Sequence, residues 1–164
     1  MNRYIALLRG INVGGNTKVP MAVLRAIFEE RYTDVVTVIN SGNVVFTAAG
    51  AVDVEWLKKR VEQETGVRAH MLVIEASTFR AIADAMPFEG DGSRMLVTFM
   101  PAVPAGIEVP ELDGEFIQIG PGATYQSLPG GILSTQLKPS FWKQFPPEQT
   151  GRNWNTVQKL LALL

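Results

Sequence analysis

Residues 3–32 read RYIALLRGINVGGNTKVPMAVLRAIFEERY. The run 4–8 is apolar and flanked by Arg3 and Arg9, which predicts a short buried strand. Residues 10–19 hold three glycines and two asparagines and form a loop. Pro20 has no N–H for a first helical turn to leave unpaired, so a helix starts there. Met21, Leu24, Ile27 and Phe28 then recur on one face, with Arg25, Glu29 and Glu30 opposite, up to about Tyr32.

Downstream, residues 34–40 and 44–47 are rich in Val, Thr and Ile and are separated by Ser41-Gly42-Asn43, the pattern of two strands joined by a tight hairpin turn. A second helix is predicted over residues 53–65, with Val54, Leu57 and Val61 on one face and Gly66 as its stop. A fourth strand follows at 67–74. Strand, helix, strand, strand, helix, strand is the split arrangement of the ferredoxin-like fold. The expected class is therefore α+β, with a ferredoxin-like βαββαβ sub-domain over residues 1–76. A second, smaller α+β sub-domain over residues 77–164 is expected to share its core.

The second half is less regular. Ser77 is read as the cap of a helix carrying Phe79, Ile82, Ala83 and Met86 and ended by Pro87, followed by a strand at 94–100. Residues 101–110 hold three prolines and a glycine and read as a surface connection. Residues 116–119 and 125–128 form a hairpin across Gly120-Pro121-Gly122. A last helix from about residue 153 carries Trp154, Val157, Leu160, Leu161 and Leu164 on one stripe. The first strands are apolar on both faces, Ile5 and Leu7 alternating with Ala6 and Leu8, so a second covering layer is expected from the other half or from a partner subunit.

Composition narrows the chemistry. The 164 residues carry 15 basic and 16 acidic side chains, one histidine and no cysteine. Thiolate catalysis, iron–sulfur ligation and any His/Cys zinc site are excluded, and neither a cofactor nor a metal is expected. The apolar stretches at 4–8 and 160–164 fall short of the ~20 residues that cross a bilayer, and no apolar core of ~7 to 15 residues marks a signal peptide. No membrane partner and a cytoplasmic address are expected. Near-zero net charge disfavours a nucleic-acid coat while leaving one local basic site open.

The polar residues gather in three segments: Arg9, Gly10, Asn12, Gly14, Gly15 and Lys18; then Ser41, Gly42 and Asn43; then Arg152, Asn153, Trp154 and Asn155. The first and second strands are parallel in the split arrangement, so the first loop and the hairpin turn share one end of the sheet, one or two strand spacings of ~4.8 Å apart. Glycine-loop amides, a helix N-terminus and the cations Arg9 and Lys18 together suit an anion. The spacing is neither Gly-x-Gly-x-x-Gly nor a P-loop, and the competing reading is a loop whose glycines make turns and whose asparagines bond local backbone. His70 lies mid-strand without an evident partner, and Ser41 lacks a base, so no catalytic triad is proposed.

These segments resemble the family of domain of unknown function 1697: residues 4–16, Lys18-Val19-Pro20-Met21, residues 39–46 and Arg152-Asn153-Trp154-Asn155-Thr156 carry the likeness. The resemblance implies two small α+β sub-domains, the first ferredoxin-like, in a small bacterial cytoplasmic protein, and implies no activity. Its recurrent positions match the three polar segments. Two departures stand out: Gln136 replaces the usual lysine of a Ser-Lys-Leu run, leaving Lys138 as the nearby cation, and the connection at 101–110 is short.

The function expected is a binding module for a phosphate-bearing, nucleotide-like small ligand. Its contacts are Arg9, Gly10, Asn12, Gly14, Gly15, Lys18, Ser41, Asn43, Arg152, Asn153 and Asn155. RNA is disfavoured, since Tyr4 and Phe46 come without the usual RNA-binding signature. The alternatives are a transferase or hydrolase using Ser41 or Lys18 at the same edge, and a structural protein that dimerises without a small ligand.

Overall fold

Strand β1 (Asn2–Arg9) and helix α1 (Met21–Glu29) bracket the glycine loop in the computed structural model, which describes residues 1–164. Strands β2 (Thr33–Val38) and β3 (Asn43–Ala48), helix α2 (Val54–Thr65) and strand β4 (His70–Glu75) follow. The sheet order is β2-β3-β1-β4, with β1 antiparallel to both β3 and β4. Because β2 is also antiparallel to β3, β1 and β2 run parallel and end together.

Local sequence explains the helices. Asp53 accepts a hydrogen bond from the Trp56 amide at 3.0 Å and so caps α2. Gly66 ends it at φ 74°, returning its N–H to the Glu62 carbonyl at 2.8 Å. Helix α1 stops earlier than its periodicity predicts, at Glu29. Its last turn unwinds through Glu30 and Arg31 amides bonded to Ile27 and Phe28 carbonyls. Arg60 of α2 reaches Glu30 with two nitrogens, at 2.6 and 3.1 Å, and this pairing holds the Glu30 carboxyl below its ordinary range.

Both helices cover one face of the sheet. Ala6, Leu8, Val44 and Phe46 pack there with Leu24, Phe28, Leu57 and Val61. Phe46 meets Phe28 edge-on at 5.0 Å and Tyr32 at 4.9 Å. Tyr4 stacks on Phe46 at 5.8 Å, so both aromatics serve the core and neither offers a platform to a base. On the opposite face Ile5, Leu7 and Val45 are also fully buried, so β1 is out of water on both sides.

Helix α3 (Ala76–Asp84) follows β4 without a break, which places Ser77 inside the helix and not at its cap. Strands β5 (Met95–Phe99), β6 (Phe116–Ile119), β7 (Ala123–Ser127) and β8 (Thr150–Asn153) form the second antiparallel sheet in the order β6-β7-β5-β8. Helix α4 (Pro139–Trp142) and helix α5 (Trp154–Leu161) complete the chain. Two compact units result, Met1–Arg80 with Leu160–Leu164, and Ala81–Lys159. The chain's end belongs to the first unit, where Arg3 donates to the Leu163 carbonyl at 2.9 Å.

In the second unit the connection at 101–115 has no regular structure, yet two glutamines grip it. Gln144 accepts from the Glu108 amide at 2.9 Å and donates to its carbonyl at 3.1 Å. Gln136 does the same at Asp113, at 2.9 and 2.6 Å. Gln136 is thus occupied in folding.

Candidate functional site

The loop after β1 is closed by its own side chains. Asn12, at φ 53°, accepts from the Val19 amide at 2.9 Å and donates to the Val19 carbonyl at 3.0 Å. Its amide bonds the Thr17 carbonyl, and the Thr17 hydroxyl accepts from Val13 at 3.0 Å and donates to Gly14 at 2.7 Å. Gly10, Gly14 and Gly15 all have positive φ and face open space. The backbone N–H groups of Gly14, Gly15 and Asn16 make no hydrogen bond, and the exposed Lys18 ammonium makes no ion pair. Asn12 is therefore a strut of the loop, while the loop's outer amides stay uncommitted.

The turn between β2 and β3 is drawn against this loop. Asn12 donates to the Asn40 carbonyl at 2.8 Å, and the Leu8 amide donates to the Gly42 carbonyl at 2.8 Å. A Cβ on Gly42 would stand 2.8 Å from the Leu8 Cβ and 2.7 Å from the Ile11 Cδ1. Asn43 is fully buried and donates to the Val38 carbonyl at 2.8 Å and to the Ser41 hydroxyl at 3.1 Å. It braces the turn from inside and opens β3, so the turn spans residues 39–42.

Register adds a residue that reading the sequence had set aside. Arg9 and His70 are direct partners across β1 and β4. Their side chains leave the sheet on the face of Leu7, its register partner Asn43, and Leu72. Arg9, Ser41, Asn43 and His70 thus share one corner of the first sheet. Only the strand pairing reveals this, since 60 residues separate Arg9 from its partner. An open groove of about 610 Å³ begins at His70 and is lined further by Lys58, Lys59, Glu62 and Arg68. Arg68 bonds Glu62 at 2.8 Å.

The third segment belongs to the second unit and is described within it. Arg152 lies on β8, paired with Val97 of β5, and is nine-tenths buried. Burial pushes its guanidinium down to about 10. It donates to the Gly151 carbonyl at 2.8 Å. Asn153 accepts from the Thr156 amide at 2.9 Å and so caps α5. Asn155 is packed over Gly92, where a side chain would collide with it. Trp154 is half-buried. Arg152 precedes the last helix and is a strand residue, because the segment 150–153 completes the second sheet.

No cluster of three or more metal-ligating side chains is present, and no helix is long and apolar enough to cross a membrane. No curated protein matches the chain. One solved structure, described as conserved bacterial protein SP0830 from Streptococcus pneumoniae, has the same fold: it is 24% identical, with 99% of this chain and 98% of that one aligned at a TM-score of 0.74. The family model for the protein of unknown function DUF1697 matches residues 1–116, which take in the whole first sheet, its glycine loop and its hairpin turn, and the chain belongs to that family.

Proposed function

We propose that the first unit is a ferredoxin-like scaffold whose β1–α1 end binds a phosphate-bearing small ligand of nucleotide type, drawn from the cytoplasm. The order β2-β3-β1-β4, with α1 crossing from β1 to β2 and α2 from β3 to β4, supports the scaffold half of this reading. The observation that carries the ligand half is the loop itself. It is closed by Asn12, Val13 and Thr17, and it leaves the Gly14, Gly15 and Asn16 amides and the Lys18 ammonium uncommitted. Uncommitted amides beside a cation favour a phosphate, because no N–H that it meets has to give up a protein acceptor. Arg9 adds positive charge at the same corner, and the groove beside its register partner His70 gives the rest of a nucleotide room beyond its phosphate. Ser41 and Asn43 brace the turn that holds the corner in shape.

A thermal-shift series on the full chain with nucleoside mono-, di- and triphosphates, sugar phosphates and inorganic phosphate tests this. A ligand at ~100 times its Kd adds about 2.7 kcal/mol, a shift of roughly 5 to 10 °C at this chain length. The shift should vanish in Lys18→Ala and shrink with added salt. A wild type unmoved by every phosphate compound would end the reading.

A further inference from the structure

We propose that β6 is the seam of a homodimer, in which β6 of one copy pairs antiparallel with β6 of a second copy, centred on Ile117. The four sheet edges are β2, β4, β6 and β8. Natural edges are guarded against pairing by charge, proline or irregularity. Strand β2 carries Asp34 at φ 50° and a register break between Thr33 and Val36. Strand β4 opens on His70 and closes on Glu75, and β8 carries Arg152. Strand β6, Phe116-Ile117-Gln118-Ile119, has no charge, no proline and an unbroken register with β7.

Its free side has the right groups. The Gly120 amide bonds the Ala123 carbonyl at 2.9 Å, and hydrogen-bonded pairs alternate along an antiparallel ladder. Gln118 and Phe116 therefore bond β7, while Ile117 and Ile119 turn their N–H and C=O groups to the open edge.

A second copy fits this edge because the strand is compatible with itself. A twofold axis normal to the sheet sets residues of one face opposite each other. Centred on Ile117, it places Ile117 against its own counterpart and Phe116 opposite Gln118, with no like charges facing. The nearest charge, Glu115, is buried and turned inward, accepting from the Thr135 hydroxyl at 2.8 Å and the Gln136 amide at 3.1 Å. That same bond returns the loop bearing Ile132 and Leu133 to the start of β6. Phe116 is 60% exposed, Ile132 53% and Leu133 100%, and the Phe88 ring lies 6.5 Å from that of Phe116. The loop is anchored by Arg94 on the Pro129 carbonyl and by the Gly131 amide on the Leu128 carbonyl.

The apolar surface that Phe116, Ile132 and Leu133 leave exposed is on the order of 400 Å², the size of the largest patch on an ordinary monomer. It is below the ~800 Å² per partner of a tight complex, so the dimer should exchange quickly, with a Kd of order 10 to 100 µM.

Sedimentation of the full chain from about 5 µM to about 500 µM reads the outcome directly. The wild type should pass from monomer to dimer across that range. Phe116→Lys combined with Gln118→Lys sets lysines opposite one another twice and should weaken association at least tenfold. Phe116→Lys combined with Gln118→Glu sets opposite charges across the same two pairs and should restore it in a salt-sensitive form. Both positions are exposed, and an unchanged melting midpoint confirms that the variants fold. A wild type that stays monomeric throughout, a Lys/Lys variant that still dimerises, or a Lys/Glu variant that does not recover would each overturn the proposal.

Discussion

Two glycine-bearing segments meet at one end of the first sheet, and their missing side chains serve opposite ends. At Gly42 the space for a Cβ is already filled by Leu8 and Ile11, so the residue is small because the turn must touch β1. At Gly10, Gly14 and Gly15 a Cβ would meet nothing within 4 Å. Those glycines answer only to backbone conformation, and the loop they make is left open to solvent. A glycine that packs belongs to architecture. A glycine that exposes amides next to a lysine leaves a surface on which something else can sit.

Substitutions can break this contrast or sharpen it. Gly42→Ala should cost the most, about 3 kcal/mol in a denaturant titration, because it adds a steric clash to a φ of 94°. Asn43→Ala should come next, at about 2 kcal/mol by the same measurement, since it removes a fully buried side chain that bonds the Val38 carbonyl and the Ser41 hydroxyl across the turn. Gly14→Ala should cost about 1 kcal/mol, the strain of a positive φ alone, and should weaken the phosphate-induced thermal shift at the same time. Lys18→Ala should leave the melting midpoint of the free protein within about 2 °C, because the side chain has no partner, while removing the ligand-induced shift. A Gly14→Ala variant as unstable as Gly42→Ala would erase the distinction between the two segments.

The sequence makes the first unit legible where local signals agree. Asp53 and Gly66 delimit α2 through a cap and a left-handed stop, both visible as residue types. Strand β8 escaped such reading. Thr150-Gly151-Arg152-Asn153 has neither alternation nor β-branched density, and it is a strand because β5 offers it an edge. Helix α4 is four residues long, shorter than any periodicity can register. The candidate site divides in the same way. The loop, the turn and the roles of Asn12 and Asn43 in bonding nearby backbone follow from residue type, whereas the place of His70 beside Arg9 is a matter of register between strands distant in sequence.

The two glutamines on the 101–115 connection carry a dynamic consequence. Each side-chain amide answers both backbone groups of one residue as a neighbouring strand would, at Glu108 and at Asp113. In deuterated water those two amide protons should be retained while their neighbours at 105 and 106 are lost at once, so that a segment without secondary structure shows two isolated slow positions. Gln144→Ala should release the first and leave the second.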